Sequence, residues 1–344
     1  MEHQRQDFAH YLQGRNLVFV MERFKKNLAS ELSAASEVGH DWGHIPDLFS
    51  FLSIFRVRPC PLPPSLIFCS TLPPRGMQKR EATERSLLIQ YSAMANTVPA
   101  ALWMIVHILL DASLLRRVRH QISPAFQSTE VGEQPDIKVL MKDPLLNSIY
   151  YETLRLRVAS TVGRTCLDDQ LCLAGGWKVK AGVPVMFTGW LAGLDESCRN
   201  TGQDLPSGKP QHPLEGFWAE RFLDCPGSCN ISGPAKKKRV QPVRKSPQRP
   251  TTQMETEDAR SKASVAGLRG HFFPFGGGAF RCPGESLAKQ VIFASVAMVL
   301  QSYDLRLIEP GEARKIEPGH RELPFGLHSF DRPVPVEICK LSET

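Results

Sequence analysis

The sequence has few cysteines and lacks a long apolar run. Nine cysteines occur in 344 residues and their spacing does not repeat, which excludes a disulfide scaffold and favours a reducing compartment. The longest apolar stretch, residues 97–110, contains His107 and ends before Asp111, whereas a bilayer-spanning helix needs about 20 apolar residues. We therefore predict no transmembrane helix. We also predict no signal peptide, because the N-terminus is charged, and so a cytoplasmic chain.

An excess of positive charge is absent from most of the chain. The net charge is +7, but residues 234–262 hold nine basic and three acidic side chains, so the rest of the chain is almost neutral. A nearly neutral body is not expected to bind nucleic acid. An apolar content of 42% with 22% charged residues also excludes wholesale disorder.

The hydrophobic pattern predicts a mainly α-helical protein with a small β region. Apolar residues recur every three or four positions from Leu17 to Leu32, which predicts a helical N-terminal segment over residues 1–55. Six prolines between Arg56 and Arg75 exclude a regular helix, so residues 56–83 are predicted to form a proline-rich connector.

The rest of the chain is predicted to form three further segments. Residues 84–225 should contain helices and short strands, residues 226–269 a basic flexible insert, and residues 270–344 a cysteine loop, a last helix and C-terminal strands. The predicted elements are a helix over 84–115 bent at Pro99, a helix over about 144–158, strands at 171–173 and 177–179, a helix over 285–301 and a strand at 334–338.

A glycine-rich turn delivers one cysteine to the start of a predicted helix. The segment reads Pro-Phe-Gly-Gly-Gly-Ala-Phe-Arg-Cys-Pro-Gly-Glu. The free N–H groups and the dipole of a helix N-terminus stabilise a thiolate and lower the pKa of the cysteine. Gly276, Gly278 and Gly284 allow the backbone to approach a flat ligand closely, and Phe275 is placed to pack beside it. A cysteine in a turn is often only structural, but these glycines with Phe275 favour a ligand-binding role for Cys282.

Phe275, Gly278, Cys282 and Gly284 match the signature Phe-x-x-Gly-x-x-x-Cys-x-Gly, and in this the chain resembles the cytochrome P450 family. The resemblance implies the P450 fold and a haem b cofactor whose iron is bound by the Cys282 thiolate. It further implies a monooxygenase that hydroxylates an apolar small molecule, such as a sterol, lipid or secondary metabolite. Dioxygen and electrons from an NADPH-dependent reductase would be consumed.

A Glu-x-x-Arg pair lies upstream on the predicted second helix. Glu152 and Arg155 are three residues apart and therefore share a helix face. In P450 enzymes such a pair forms a buried network with an arginine from an irregular segment before the cysteine loop, and Arg221 in Phe-Trp-Ala-Glu-Arg-Phe is the matching residue. The alternative is a surface ion pair and an unrelated arginine.

The predicted bent helix contains the run Ala-Asn-Thr-Val-Pro. The resemblance places Thr97 over the haem as a catalytic residue, with Asn96 where the family usually has an acid. This run resembles the branch of sterol 7α- and 12α-hydroxylases and prostacyclin synthase, which also contains an isomerase. Asn96 therefore leaves a second function open, that of a peroxide isomerase or dehydratase of the same fold that needs no reductase. A plain core helix is the structural alternative.

Other positions suggest how a haem would be held. Arg164 follows the Glu-x-x-Arg helix, and the resemblance implies that it binds a haem propionate. Phe280 stands two residues before Cys282, where the family usually has a basic residue, and the direction of the adjacent Arg281 is left open.

The resemblance also implies parts that this sequence lacks. The family's N-terminal anchor and first sheet, and much of its substrate-covering helices, have no counterpart, so we expect a truncated form of the fold. Members with that anchor lie on the cytosolic face of the endoplasmic reticulum. A third possibility is therefore a non-catalytic, haem-binding fragment.

Three weaker motifs have simple alternatives. His40 and His44 are four residues apart but lack the glutamate of a zinc-protease helix. Cys225 and Cys229 form one lone pair, which is poor evidence for zinc. The basic run at 236–239 resembles a nuclear localisation signal, although such runs are usually only solvated.

Overall fold

The computed structural model places helices and short antiparallel strands around one main hydrophobic core and a small second cluster. Its described residues are 14–57, 95–129, 132–159, 161–169, 171–173, 175–195, 200–202, 210–224, 262–265, 268, 270–278, 281–319 and 326–341. The connector predicted at 56–83 lies outside them apart from its first two residues.

The secondary structure is mainly helical, as the sequence predicts. The helices are α1 (Gly14–Ala34), α2 (Leu48–Val57), α3 (Ala95–Leu109), α4 (Ala112–Ile122), α5 (Ile137–Leu140), α6 (Pro144–Arg157), α7 (Gly189–Gly193), α8 (Glu285–Ser302) and α9 (Pro310–Ala313). The strands are β1 (Gly43–Ile45), β2 (Phe126–Thr129), β3 (Gly132–Pro135), β4 (Thr161–Thr165), β5 (Leu171–Cys172), β6 (Lys178–Val179), β7 (Pro184–Thr188), β8 (Leu223–Asp224), β9 (Lys262–Ala263), β10 (Tyr303–Leu307) and β11 (Val336–Lys340).

The helical core is built from three helices of different hydrophobic pattern. The apolar stripe of α1, from Leu17 to Leu32, is buried as predicted and packs against α8 and β3. By contrast, α3 and α8 are apolar on almost every face and are buried along most of their length, as expected for central helices. The predicted helices over 144–158 and 285–301 are confirmed to within one residue at each end.

The sequence predicted a wholly helical N-terminal segment, and this prediction is wrong. Residues 43–45 form β1, which pairs antiparallel with β11, and the three-stranded sheet has the order β1-β11-β10. Gly43 faces Ile338, and Leu305 faces Ile338 from the other side. Because this pairing joins residues nearly 300 positions apart, the local pattern could not reveal it.

The long helix predicted to end at Leu115 instead ends at Leu109. The chain then turns by 119° into α4. Asp111 causes the restart, because its carboxylate accepts the amide N–H groups of Ser113 and Leu114, at 2.8 and 3.2 Å. The helix is continuous through Pro99, so the observed break lies after it.

The end of the predicted flexible insert is packed in the fold. Residues 262–263 form β9, which pairs with β8, and the side chain of Leu268 is only 1% exposed against Phe222. The composition of residues 226–269 as a whole predicted a flexible insert, because the basic and polar residues lie before this packed end. The remainder of the predicted insert, up to residue 261, lies outside the described residues.

No single helix in the described residues is long and apolar enough to cross a bilayer. The bent pair over 95–109 and 112–125 reaches that length and apolar content only when its two helices are taken together.

Candidate functional site

The cysteine loop is a tight turn that ends just before α8. The amide N–H of Cys282 donates to the carbonyl oxygen of Phe275 at 2.8 Å, which closes the loop. Gly276 and Gly278 adopt φ values of 73° and 61°, a region that glycine enters without strain. Gly284 differs, since its φ of −83° is open to any residue. It is the N-cap of α8.

Cys282 is set apart from the other described cysteines by its exposure and its position. Cys166 and Cys339 are buried, whereas Cys172 and Cys282 are exposed. Cys172 ends a two-residue strand, but Cys282 lies three residues before α8, close to free helix N–H groups. Of the described cysteines, Cys282 therefore combines access with a setting that stabilises a thiolate.

The cysteine loop leaves room at two of its glycines for the flat group that the resemblance implies. A Cβ atom added to Gly277 or Gly278 would meet no atom within 4 Å, so the backbone is open on that side. A soft thiolate at an accessible loop is a suitable ligand for haem iron. Phe275 is half-buried and packs against the main core, which fixes one end of the loop.

Arg164 lies beside the cysteine loop. Its Nη2 donates to the carbonyl oxygen of Gly277 at 2.8 Å, and its Nη1 donates to Gly163 at 2.7 Å. Strand β4, which carries Arg164, pairs with β7. The guanidinium is thus held where the loop turns, which suits the predicted contact with a propionate.

Arg281, whose direction the sequence left open, pairs with α8. Its guanidinium makes a two-pronged bond to the Glu285 carboxylate, with distances of 2.6 and 2.7 Å. This hydrogen bond and the charge of Glu285 raise the pKa of Arg281. Both groups are solvent-accessible.

The structure brings Glu152, Arg155 and Arg221 together in one buried network. Arg155 Nε donates to Glu152 Oε2 at 2.7 Å, and Arg221 Nε donates to Glu152 Oε1 at 2.9 Å. The amide N–H of Trp218 donates to the same Oε1 at 3.1 Å. All three charged side chains are fully buried, which requires that their hydrogen bonds be satisfied internally.

Arg221 also fastens an irregular segment to this network. Its two terminal nitrogens donate to the carbonyl oxygens of Asn200, His212, Pro213 and Gly216. Burial lowers the pKa of Arg221, and the nearby Glu152 carboxylate opposes that effect. Arg155 adds a longer bond to the Gly216 carbonyl oxygen, at 3.5 Å, so the position of these carbonyl groups depends on the buried ion network.

Asn96 and Thr97 are half-buried on α3, and Asn96 makes a contact that the sequence did not suggest. Its side-chain oxygen accepts the amide N–H of Leu327 at 2.9 Å. The neighbouring Gly326 has a φ of 135°, and a Cβ there would lie 2.4 Å from the Asn96 oxygen. The residue placed beside Thr97 is therefore engaged with the C-terminal part of the chain.

An aromatic stack next to this contact was not predicted from the sequence. The Arg157 guanidinium lies 3.6 Å from the centre of the Trp103 ring, while His107 stacks on Phe217 with centroids 4.1 Å apart. Burial, and then the charge of Arg157, lower the pKa of His107 well below its usual value. Burial also lowers the pKa of Arg157 to about 10. The one sequence signal for this stack is the four-residue spacing of Trp103 and His107, which places them on the same helix face.

The weaker motifs gain no support as metal sites. No group of three or more His, Cys, Asp or Glu side chains is arranged to hold a metal ion in the described part of the chain. His44 lies in β1 rather than on a helix, which excludes the zinc-protease arrangement. The pair Cys225 and Cys229 and the basic run at 236–239 lie outside the described residues.

Comparisons with known proteins support the family that the cysteine loop indicates. A family model described as Cytochrome P450 matches residues 248–329. The chain is 32% identical over 241 residues to the cytochrome P450 monooxygenase efuG of Hormonema carpetanum, covering 68% of this chain and 40% of that protein. It is 31% identical over 236 residues to the cytochrome P450 monooxygenase fsoE of Humicola fuscoatra, covering 67% and 38%. For the cytochrome P450 monooxygenase calL of Penicillium decumbens the identity is 27% over 221 residues, covering 64% and 34%.

These matches support the family but not the finer branch. The chain spans about two fifths of the length of the first two relatives. The relatives named above are monooxygenases, and they give no support to a place among the sterol hydroxylases and prostacyclin synthase. Because the family model covers the cysteine loop and these relatives align over most of the sequence, the chain belongs to the cytochrome P450 family.

Proposed function

We propose that the protein is a haem-thiolate monooxygenase that hydroxylates an apolar small molecule. The observation that carries the proposal is the exposed Cys282 in a closed glycine loop before α8. When bound, haem supplies a redox-active iron at which dioxygen is reduced. An NADPH-dependent reductase is the proposed source of electrons.

In this proposal each residue near the loop has a separate task. Cys282 binds the iron, and Gly276 and Gly278 give the loop the conformation that exposes its thiolate. Arg164, held against Gly277, binds a propionate. The hydroxyl of Thr97 would hold a proton beside the haem, on a helix whose apolar residues are largely buried.

The buried ion network has a structural task. Glu152, Arg155 and Arg221 join α6 to the segment that precedes the cysteine loop in the chain. Their role is to fix the region behind the haem, and none is proposed to contact substrate. The alternative function of a peroxide isomerase depended on Asn96 alone. The hydrogen bond from the Leu327 amide gives that residue a different role.

The test of haem ligation is an absorption spectrum of the purified full chain, reduced and exposed to carbon monoxide. We expect the red-shifted band of a thiolate-bound haem, and its loss in Cys282→Ser. The matched control is Cys172→Ser, since Cys172 is also exposed, and this variant should keep the band. An unchanged band in Cys282→Ser would refute the assignment.

Monooxygenase activity requires a second measurement. With a P450 reductase and NADPH, label from isotopically labelled dioxygen should enter an apolar substrate, tested over a panel of sterols, fatty acids and aromatics. Conversion of a lipid peroxide without reductase, and no labelled product in the panel, would instead favour the isomerase.

A further inference from the structure

The segment from Gly326 to Phe330 is fastened to one face of α3 at two points. Asn96 accepts the amide N–H of Leu327, and Trp103 Nε1 donates to the carbonyl oxygen of His328 at 2.9 Å. Asn96 and Trp103 are seven residues apart, so they lie on the same helix face two turns from each other. The Phe330 ring packs on Trp103, with centroids 4.1 Å apart.

The opposite side of this segment is held by the end of α6. The amide N–H of Ala159 donates to the carbonyl oxygen of Gly326 at 2.8 Å, and the amide N–H of His328 donates to the carbonyl oxygen of Arg157 at 3.0 Å. Val158 and Leu327 form an antiparallel bridge. The segment is therefore clamped between α3 and the chain that leaves the Glu-x-x-Arg helix.

Gly326 shows how closely Asn96 and this segment fit. A Cβ at Gly326 would lie 2.4 Å from the Asn96 oxygen and 3.0 Å from its Cγ. The φ of 135° is also strained for any other residue. A residue larger than glycine would therefore move either the segment or the Asn96 side chain.

We propose that Asn96 is a positioning residue that holds the Gly326–His328 segment against α3 beside Thr97, so that this segment forms a fixed wall of the substrate site. The assignment of a substrate site rests on the proposed function. Asn96 then acts through Leu327 rather than on oxygen or substrate. The chemistry required of residue 96 is a hydrogen-bond acceptor of the right length.

Two substitutions separate an acceptor from the other properties of Asn96. Asn96→Asp keeps an oxygen acceptor, whereas Asn96→Leu has nearly the same size and no acceptor. In Asn96→Leu the amide of Leu327 should exchange its hydrogen about tenfold faster, because one buried hydrogen bond is lost. In Asn96→Asp the rate should stay within about twofold of the wild type. The amides of β11, in another part of the fold, report any global loss of stability.

Gly326→Ala tests the same contact from its other side. It should speed Leu327 exchange although Asn96 is intact, because its Cβ displaces the Asn96 oxygen. The double variant with Asn96→Ala should lose less free energy of unfolding than the two single variants together, because the clash between the added Cβ and the Asn96 oxygen is then removed.

Two haem-binding probes link the contact to the proposed pocket. In the haem-loaded full chain, 4-phenylimidazole should bind about tenfold more weakly to Asn96→Leu than to the wild type, because its ring touches the wall. Imidazole, which is too small to reach the wall, should bind equally well to both proteins. Asn96→Asp should resemble the wild type with both probes.

The outcomes distinguish this inference from the proposed function. Unchanged Leu327 exchange in Asn96→Leu, or equal effects of the Leu and Asp substitutions, would overturn the positioning role. Equal weakening of both probes would overturn it as well, because the iron site rather than the wall would then be altered. Absence of any haem spectrum would refute the proposed function, while the exchange result would still decide whether Asn96 holds the segment.

Discussion

Glu152→Gln is expected to destabilise the protein strongly, although it removes only one charge. The Glu152 carboxylate accepts four hydrogen bonds in the structure: two from Arg155, one from Arg221 and one from the Trp218 amide. Glutamine keeps one oxygen and places an NH₂ group where a second acceptor is needed. Two buried guanidinium groups would then face each other without a counter-charge.

The size of the effect follows from this burial. Removing one partner of a buried ion pair typically costs about 3–5 kcal/mol, since the remaining charge stays out of water. A single domain is stable by only about 5–15 kcal/mol, so the loss would be a large fraction. The carbonyl groups held by Arg221 belong to Asn200 and to residues between His212 and Gly216, and these residues should loosen first.

The assay is urea unfolding of the full chain, followed by circular dichroism, with haem content measured in parallel. Glu312→Gln is the matched control, because Glu312 and Lys315 have the same three-residue spacing but are 51% and 67% exposed. The control should unfold at the wild-type urea concentration. If Glu152→Gln does so too, the three buried residues do not act as one network.

Two further predictions concern pH. His107 is neutral in the folded protein because burial, and then the charge of Arg157, lower its pKa. Below about pH 6.5 the unfolded chain takes up a proton at His107 that the folded protein does not. The free energy of unfolding should therefore fall there by up to about 1.4 kcal/mol per pH unit. Urea midpoints should show a flatter pH profile for His107→Leu, and equal slopes would contradict this explanation. Burial raises the pKa of Asp47, but hydrogen bonds from Ser50, Val334 and Phe49 outweigh it and leave the pKa lowered. Asp47→Ala should cost about 1 kcal/mol at neutral pH, as for a lost helix cap. The gap should begin to narrow at about pH 4, where the unfolded chain takes up the proton, and should close only below the lowered pKa of the folded carboxylate; a gap of constant size through this range would exclude the charge as its source.

The parts of the site that the sequence predicted depend on short-range geometry. Glycines at 276 and 278 precede Cys282 by a few residues, and their left-handed φ values follow from the local turn. Glu152 and Arg155 meet because a helix places residues three apart on one face. Arg221 joined the prediction only through the resemblance to a family, since nothing in local spacing links it to α6.

The parts that the sequence did not predict depend on long-range packing. The sequence placed Asn96 beside Thr97, but its contact with Leu327 spans 231 positions. The Trp103 indole finds His328 over 225 positions. Such contacts need the relative placement of α3 and the C-terminal chain, which no window of neighbouring residues encodes.

The sequence by itself determined the helical class, the cysteine loop and the arrangement of Glu152 with Arg155, because periodicity and turn chemistry act between near neighbours. Tertiary structure alone decided that residues 43–45 join β11, that the chain turns by 119° after Leu109, and that Asn96 meets the segment at Gly326. These features depend on which distant surfaces pack together. Their free energy comes from buried area and paired hydrogen bonds, which exist only once the chain is folded.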